Sequence, residues 1–446
     1  MDTSLGTVRY ALRQFRQAPV FTGAAILTLA LGIGGTTAIF SLMHAVMVRA
    51  LPVADPAGLY RIGDGDNCCV QGGPQQNWGM FSYALFQRLA AETSEFAQIT
   101  AFQAGTGRMS VRRERVETSA RPVRTEYVTG TYFSTLGVPA FAGRVLAPDD
   151  DRPASPPVIV LSHHLWQGTY GGDPSVVGSS ILIDGHAFTA IGVTPPGFYG
   201  ETLRGDPPDI WIPMQQEAVL NVGSSLVSAK SSAWLRVIGR LTPGASTDGM
   251  SGRLTGVLRQ WIEHDSGYPA SWMPDILRNL PKQTIAVVPA GAGVGVMKSQ
   301  YGASLRLLLA VCGLVLFIAC ANVANLLLTR AVARRQQTAV RLALGASRRQ
   351  IIRQALLESV VLALGGGLAG LFVAVAATRL LLSLQFSSVR YLPLEAGLSW
   401  PMLAVAFGLA LLTGIIFGVV PAWMSTRTQP IEALRGSGRS VGDRSS

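Results

Sequence analysis

Four long apolar runs divide the chain into membrane-like and soluble parts. They cover residues 20–48, 304–329, 355–385 and 400–424, and polar residues cluster between them. A helix needs roughly 20 apolar residues to cross a bilayer, and each of the four runs is long enough. The pattern therefore predicts a bundle of four transmembrane helices.

The first apolar run also has features of a signal peptide, because a basic flank precedes it. It is too long for the core of such a peptide, and no small-x-small cleavage site closes it. We interpret residues 20–48 as an uncleaved first span that enters the membrane from the cytoplasm.

Residues 1–19, which precede this span, carry Leu5, Val8, Leu12 and Phe15 at helical spacing, with arginines beside them. Arginine stems can pack on lipid while their guanidinium groups reach phosphate. The segment therefore fits an amphipathic helix lying on the cytoplasmic leaflet, and it fits an ordinary basic N-terminus equally well.

Arginines indicate which side of the membrane each connection occupies. Residues 330–354, between the second and third runs, contain Arg330, Arg334, Arg335, Arg341, Arg348, Arg349 and Arg353. Basic residues in short connections mark the cytoplasmic side. Residues 425–446 are also rich in arginine, so we expect both ends of the chain in the cytoplasm and the short loop 386–399 outside.

Residues 49–303 have the composition of a soluble domain. Their apolar runs are short and are separated by Gly, Pro and Asp, which is typical of strands and turns. The clearest such runs are residues 156–162, 179–185, 186–198 and 208–214. Residues 81–96 and 249–265 have helical patterns instead. A segment of this length can bury its own core. We therefore expect a large external mixed α/β domain between the first and second spans.

Composition supports a membrane protein. Hydrophobic residues make up 48% of the chain and charged residues 14%, compared with about 25% charged in typical soluble proteins. The net charge of +11 resides largely in arginines beside apolar runs, which favours anionic lipid over nucleic acid as the partner. Cys312 and Cys320 should pack as small apolar residues, and Cys68 and Cys69 would lie outside the cytoplasm, where disulfides form.

No pattern of catalytic or metal-binding residues stands out. Residues 291–299 are rich in glycine and end in Lys-Ser, but a phosphate loop requires Gly where Met297 stands, so we interpret them as a linker. His163 and His164 are adjacent and have no further ligand at metal-binding spacing. We predict no catalytic residues, no metal site and no cofactor bound by this chain.

Four blocks of sequence resemble the permease subunits of MacB/FtsX-like ABC transporters. Two lie in the external segment: VTGTYFSTLGVPAFAGRVL at 128–146, and VIVLSHHLWQGTYGGDPSVVGSSILIDGHAFTAIGVTPPGF at 158–198. The others are ARRQQTAVRLALGASRRQIIRQALLES at 333–359 and VVPAWMSTRTQPIEALR at 419–435. The resemblance covers nearly the whole chain, and it implies that 49–303 is a MacB-like periplasmic core domain.

The resemblance implies a multi-pass permease of the bacterial inner membrane that couples a separate ATPase subunit, which binds ATP and Mg²⁺, to movement of its external domain. Export or other work in the periplasm is the expected outcome. The other expected partners are a second permease copy or a homologous permease, membrane lipid, and a periplasmic adaptor or substrate protein.

By the same resemblance, the hairpin 330–354 should contact the ATPase. Gly345 is suited to end one helix, and Ser347 with Gln350 has the spacing of a capping box that starts another. Where the family has Glu, this chain has Gln337, which removes a charge from the hairpin. The candidate coupling residues are Arg334, Arg335, Gln337, Arg341, Gly345, Ala346, Ser347, Arg348 and Arg349.

Two further questions remain open at the level of sequence. Gly366 and Gly370 form a GxxxG pattern that allows close helix approach, either between two permease copies or within one chain. The second question is function: a membrane-anchored sensor or scaffold, whose external domain binds a ligand without any ATPase, is the alternative to a transporter.

Overall fold

The structure is a computed structural model, and it describes residues 16, 18–47, 51–63, 81–114, 116, 119–204, 207–293, 296–333, 340, 347–385, 400, 403–413 and 415. The chain divides into two compact units. One, the helical unit, consists mainly of residues before 46 and after 301. The other, the sheet domain, is built from Val46–Tyr301.

The helical unit contains helices at the predicted apolar runs. They are α1 (Pro19–Met47), α8 (Val296–Ala333), α9 (Arg348–Gln385) and α10 (Leu403–Thr413). The first three contain segments long and apolar enough to cross a membrane, with mean hydropathies of 1.8, 2.6 and 2.3. The described part of the fourth run is shorter, so the count of four spans stays a prediction.

Two helix boundaries can be compared with the positions predicted from the sequence. Helix α9 begins at Arg348, directly after Ser347, where the capping pattern predicted a new helix. Helix α8 begins at Val296, eight residues before the predicted start at 304, so the interpretation of 296–299 as a linker was wrong. Polar residues such as Lys298 do not belong to the apolar run, yet the helix continues through them.

The four helices share one apolar core. Ala25 and Ile33 of α1, Cys320 of α8, Leu362 of α9 and Ala410 of α10 are all buried in it. Other large apolar side chains of these helices point outward, and Phe317 and Phe372 are 65% and 81% exposed. Such surfaces are stable where lipid is the solvent, which agrees with the membrane interpretation.

The residues that the structure describes in the sheet domain form an eleven-stranded sheet. Its strands are β1 (Leu59–Gly63), β2 (Phe96–Gln103), β3 (Gly107–Arg113), β4 (Arg121–Val128), β5 (Ala142–Gly143), β6 (Val158–Leu161), β7 (Ser180–Ile183), β8 (His186–Val193), β9 (Ile210–Pro213), β10 (Leu235–Leu241) and β11 (Ala286–Pro289). The strands predicted from the apolar runs near 158, 180, 186 and 210 are confirmed.

Within the described part of the sheet domain, six α-helices accompany the strands: α2 (Tyr83–Ala91), α3 (Tyr132–Leu136), α4 (His163–Tyr170), α5 (Glu217–Leu220), α6 (Met250–His264) and α7 (Met273–Asn279). The helix predicted over 249–265 is confirmed as α6. The helix predicted over 81–96 ends earlier, at Ala91, and Phe96 begins β2. Its start is fixed by Ser82, whose Oγ accepts the backbone N–H of Leu85.

The sheet has an open part and a closed part. The open part runs in the order β11-β1-β10-β2-β4. Strand β9 pairs with both β6 and β4, so that β4, β3, β7, β8, β6 and β9 form a closed ring. The expected mixed α/β domain is therefore present, and β4 belongs to both of its parts.

Candidate functional site

The predicted coupling hairpin lies mostly outside the described residues. This applies to Arg334, Arg335, Gln337, Arg341, Gly345 and Ala346. Ser347 is exposed, and Arg348 and Arg349 are the first two residues of α9. Their role in coupling stays a prediction.

The predicted helix-packing glycines lie against α1 of the same chain. A Cβ atom added at Gly366 would stand 2.6 Å from Cβ of Leu29, and one added at Gly34 would stand 2.7 Å from the carbonyl oxygen of Gly370. Real Cβ atoms do not approach this closely, so the backbones of α1 and α9 can cross here only because both positions are glycine. The structure thus uses this face for packing within one chain.

The sheet domain begins and ends in two strands that pair with each other. Strand β1 follows the first span and strand β11 precedes the second, and they are antiparallel, with Tyr60 opposite Pro289 and Gly63 opposite Ala286. Before the pair, the backbone N–H of Leu51 donates to the carbonyl of Gly291 over 2.9 Å. We call residues 51–63 and 286–293 the connection strands.

Arg240 of β10 holds the first connection strand against the rest of the domain. Its guanidinium group donates to three backbone carbonyl oxygens, those of Thr135 at 2.8 Å, Asp55 at 3.0 Å and Ala54 at 2.7 Å. Guanidinium groups form stronger hydrogen bonds than neutral donors. A single side chain therefore joins the connection strand to α3 and β10.

The sheet domain also contains a buried ionic cluster. Nη2 of Arg204 is 2.6 Å from Oε1 of Glu126 and 2.9 Å from Oε1 of Glu201. Both carboxylates are fully buried. Tyr132 donates its O–H to Glu201 over 2.6 Å, and Trp211 donates its Nε1–H to Glu126 over 3.2 Å. The cluster fastens β4, α3 and β9 to the loop that carries Glu201 and Arg204.

Two carboxylates with one guanidinium group between them cannot both ionise easily. Burial, and then the charge of Glu201, raise the pKa of Glu126 to about 8. Burial and the same carboxylates raise the pKa of the Tyr132 hydroxyl, so it acts only as a donor. Burial and the charge of Arg204 lower the pKa of Arg236 to about 10. Near neutral pH Glu126 is therefore expected to hold a proton.

The ionic cluster touches the second connection strand through the backbone. Gly293 has a φ of 75°, a conformation that favours glycine. A Cβ atom there would clash with the carbonyl oxygen of Glu201 and stand 2.8 Å from Cδ2 of Leu51. Gly293 lies three residues before α8 begins. The start of the second membrane helix is thus preceded by a tightly packed contact with the cluster loop.

Sequence reasoning missed both the connection strands and the ionic cluster. Glu126 and Arg204 are 78 residues apart in the chain, and no local pattern marks them as partners. The one available signal was a glutamate at position 126, directly before the apolar residues Tyr127 and Val128. Within the described residues, no group of three or more His, Cys, Asp or Glu side chains could hold a metal ion.

Two family models match this chain. The MacB-like periplasmic core domain matches residues 22–257, and the FtsX-like permease C-terminal region matches residues 309–430. The first match covers more than half of the chain. It includes Leu51 of the first connection strand and all residues of the ionic cluster.

Curated relatives are similar over most of the chain. The macrolide export ATP-binding/permease protein MacB of Salmonella typhi is 26% identical over 320 residues, covering 70% of this chain and 43% of the relative. The pyoverdine export ATP-binding/permease protein PvdT of Pseudomonas syringae pv. syringae is 27% identical over 315 residues, with the same coverage. The chain thus spans about two fifths of the length of these relatives.

Among solved structures, the periplasmic region of MacB from Actinobacillus actinomycetemcomitans is similar to part of this chain. The likeness covers 53% of this chain and 90% of the chain in that structure. The sequence identity is 13% and the TM-score is 0.37.

Proposed function

Because this chain belongs to the MacB/FtsX-like ABC transporter permeases, we propose that it is the permease subunit of a transporter whose ATP is hydrolysed on a separate cytoplasmic subunit. In this proposal the chain binds no nucleotide itself. The curated relatives are named as ATP-binding/permease proteins, and the present chain spans less than half of their length.

The Arg-rich hairpin is the proposed contact with the ATPase. A rigid basic turn between two helices can enter a groove on a cytoplasmic protein, and closure of an ATPase dimer would then displace the ends of α8 and α9. The close contact of α1 with α9, at Gly34 and Gly370, supports transmission of that displacement to the first span. No polar channel through the membrane is needed for this mode of action.

The pairing of the connection strands is the observation that carries the proposal. The chain enters the sheet domain after α1 and leaves it before α8, and Leu51 and Gly291 join these two points by a hydrogen bond. Arg240 and the Glu201 carbonyl then link them to β10, α3 and the cluster loop. A displacement that reaches either connection strand would therefore pass to the sheet domain as one movement.

We further propose that two permease copies act together and that their sheet domains work on a substrate or partner protein outside the membrane. Relatives are named for macrolide export and for pyoverdine export, so export of a small molecule is one form of this work. Extraction or regulation of a periplasmic protein by the same movement is another. The basic segments at the membrane ends are expected to contact anionic lipid.

Copurification tests the proposal. The chain is expressed together with a candidate ABC ATPase from the same genome, reconstituted in lipid nanodiscs, and assayed for ATPase binding and ATP hydrolysis. We expect the wild-type chain to bind the ATPase and to stimulate hydrolysis, and Gly345→Val, which forces a β-branched residue into the predicted turn, to lose both. The matched control is Gly313→Val in α8, where an added Cβ meets nothing within 4 Å.

Unchanged binding and stimulation in Gly345→Val would contradict the role of the hairpin. A wild-type chain that binds no ATPase would instead favour the alternative function, a membrane-anchored sensor or scaffold.

A further inference from the structure

A cleft on the closed part of the sheet domain has the size of a ligand site. Its volume is about 630 Å³, within the range of roughly 300–1,000 Å³ found for small-molecule pockets. It lies between the start of β4, the first two turns of α4 and the chain that leads into β9. It contains none of the residues of the ionic cluster or the connection strands, so the proposed coupling does not use it.

One wall of the cleft is positively charged. Arg121 and Arg124 of β4 line it, and Asp209 is the one carboxylate among the described lining residues. The carboxylate of Asp209 accepts a hydrogen bond from the backbone N–H of Arg124 at 3.0 Å. The backbone N–H of Asp209 in turn donates to the carbonyl oxygen of Arg124 at 2.8 Å. Asp209 thereby fixes the backbone that carries Arg124.

The arginines take part in further interactions within the protein. A guanidinium group has five N–H donors, so it can hold a neighbour and still bind an anion.

The hairpin that supplies these arginines is basic along its length. Residues 107–128 contain six arginines, Arg108, Arg112, Arg113, Arg115, Arg121 and Arg124, and three acids, Glu114, Glu117 and Glu126. Arg108 stands directly opposite Arg124 in the β3–β4 register. Like charges at directly opposed positions are destabilising. A bound anion would offset this repulsion, which gives the pairing a physical reason.

The other walls of the cleft have a polar part, with Ser119, Ser162, His164 and Thr169, and an apolar part. The apolar part is formed by Leu165 of α4, Phe198, Tyr199, and Pro207 with Pro208. All five are buried. Phe198 stacks on Trp211 with ring centroids 5.4 Å apart, so the aromatic wall is held by the domain core. Such a wall accepts a flat apolar body next to the charged one.

We propose that this cleft binds a soluble small molecule that carries one phosphate or carboxylate group on an aromatic or similarly flat apolar body. Arg121 and Arg124 hold the anionic group, which guanidinium forks match in geometry, and the Phe198–Tyr199 wall holds the body. Binding requires no ATPase, so this proposal and the proposed transport function can each fail separately.

Gly168 offers a way to close the cleft without disturbing the fold. It lies in α4 on the cleft wall, it is exposed, and an added Cβ meets nothing within 4 Å. Replacing a helical glycine also favours the helix by up to about 1 kcal/mol. Gly256 in α6 has the same surroundings, helical, exposed and open, but it does not line the cleft, so it is the matched control.

The test uses the full chain in nanodiscs of zwitterionic phosphatidylcholine, with 1-naphthyl phosphate as the probe and equilibrium dialysis as the measurement. We expect saturable binding of the probe and at least tenfold weaker binding of neutral 1-naphthol. Arg121→Gln and Arg124→Gln should each weaken probe binding about tenfold, since a charged hydrogen bond contributes about 1.5 kcal/mol or more. Gly168→Leu should abolish it.

Two controls should bind the probe as the wild type does. Gly256→Leu adds the same side chain elsewhere. Arg278→Gln removes the same charge from an exposed ion pair with Asp275, outside the cleft.

The proposal is overturned if the wild type binds no probe up to about 1 mM, if 1-naphthol binds equally well, or if Gly168→Leu and both arginine variants bind like the controls. A second set of nanodiscs contains phosphatidylglycerol. Unchanged probe affinity there supports a soluble ligand, whereas competition assigns the anion to a lipid headgroup and overturns the proposal.

Discussion

The backbone N–H of Leu51 donates a hydrogen bond to the carbonyl oxygen of Gly291 over 2.9 Å, although 239 residues lie between them in the sequence. These two residues stand where the chain enters the sheet domain and where it leaves. The β1–β11 pairing continues the contact as far as Gly63 and Ala286. A domain attached through two paired strands resists rotation of one attachment against the other, as the proposed transmission of movement requires.

Arg240 should be the side chain on which this attachment depends most. Arg240→Met keeps the length of the stem but removes three donors to backbone carbonyls. We expect the free energy of unfolding of the sheet domain to fall by about 2 kcal/mol, because the lost hydrogen bonds come from a charged group. Urea unfolding of the full chain, followed by tryptophan fluorescence, measures the change.

Arg278→Met is the control for this variant, since the Arg278–Asp275 pair is exposed on both sides and such pairs contribute little. Equal unfolding midpoints for the two variants would contradict the bracing role of Arg240.

The buried ionic cluster predicts a loss of stability as the pH rises. Glu126 has a pKa of about 8 in the folded chain, raised from an ordinary value of 4.5. The unfolded chain therefore releases a proton that the folded chain keeps, so the free energy of unfolding falls as the pH rises towards 8. Asp151, whose pKa burial raises to about 6, contributes to the same trend at lower pH. Between pH 6.5 and 8, the fall in the free energy of unfolding therefore comes mainly from Glu126.

Glu126→Gln should flatten the decline of stability between pH 6.5 and 8, because an amide mimics the protonated acid. Unfolding at a series of pH values checks this. Glu95→Gln should leave the decline as it is, because the hydrogen bond from Arg253 lowers the pKa of Glu95, far from this interval. If the slope is the same in Glu126→Gln as in the wild type, Glu126 does not hold the proton.

The crossing of α1 and α9 predicts a strong difference between two glycines of the same helix. Gly34→Leu should destabilise the helical unit by about 3 kcal/mol or more, since its side chain would meet the backbone of Gly370. Gly23→Leu should be tolerated, because an added Cβ there meets nothing within 4 Å. Thermal unfolding in a mild detergent compares the two.

A Gly34→Leu variant as stable as Gly23→Leu would show that this crossing does not form. The glycine face of α9 would then be available for a contact between permease copies.

The sequence predicted local structure well. The first span was expected over 20–48 and the helix covers Pro19–Met47, because its apolar composition has an abrupt beginning and end. The strand at residues 186–193 was recognisable from its apolar run and the Pro-Pro-Gly that follows. Helix α8 begins at Val296, eight residues before the apolar run that was predicted to cross the membrane, since hydropathy records the part of a helix that lies in lipid and says little about its polar first turns.

The long-range contacts that build the candidate site could not be predicted from the sequence. Arg240 donates to Asp55, 185 residues earlier, and a single sequence holds no signal for such a contact. Glu126 could be identified as an acid in a strand, but neither its burial nor its partners follow from the local pattern. The cleft beside α4 combines segments from three parts of the chain. The sequence only allows its arginines to be counted, and the fold shows that Arg121 and Arg124 line the same cleft.

The whole account depends on the sheet domain and the Arg-rich hairpin lying on opposite sides of the membrane. Single cysteines at two exposed positions, Ser224→Cys in the sheet domain and Ser347→Cys at the hairpin, are introduced into a chain whose four native cysteines are replaced. Both variants are treated with a membrane-impermeant maleimide in spheroplasts. We predict labelling of Ser224→Cys in intact spheroplasts, and of Ser347→Cys only after permeabilisation. Labelling of Ser347→Cys in intact spheroplasts would contradict the account.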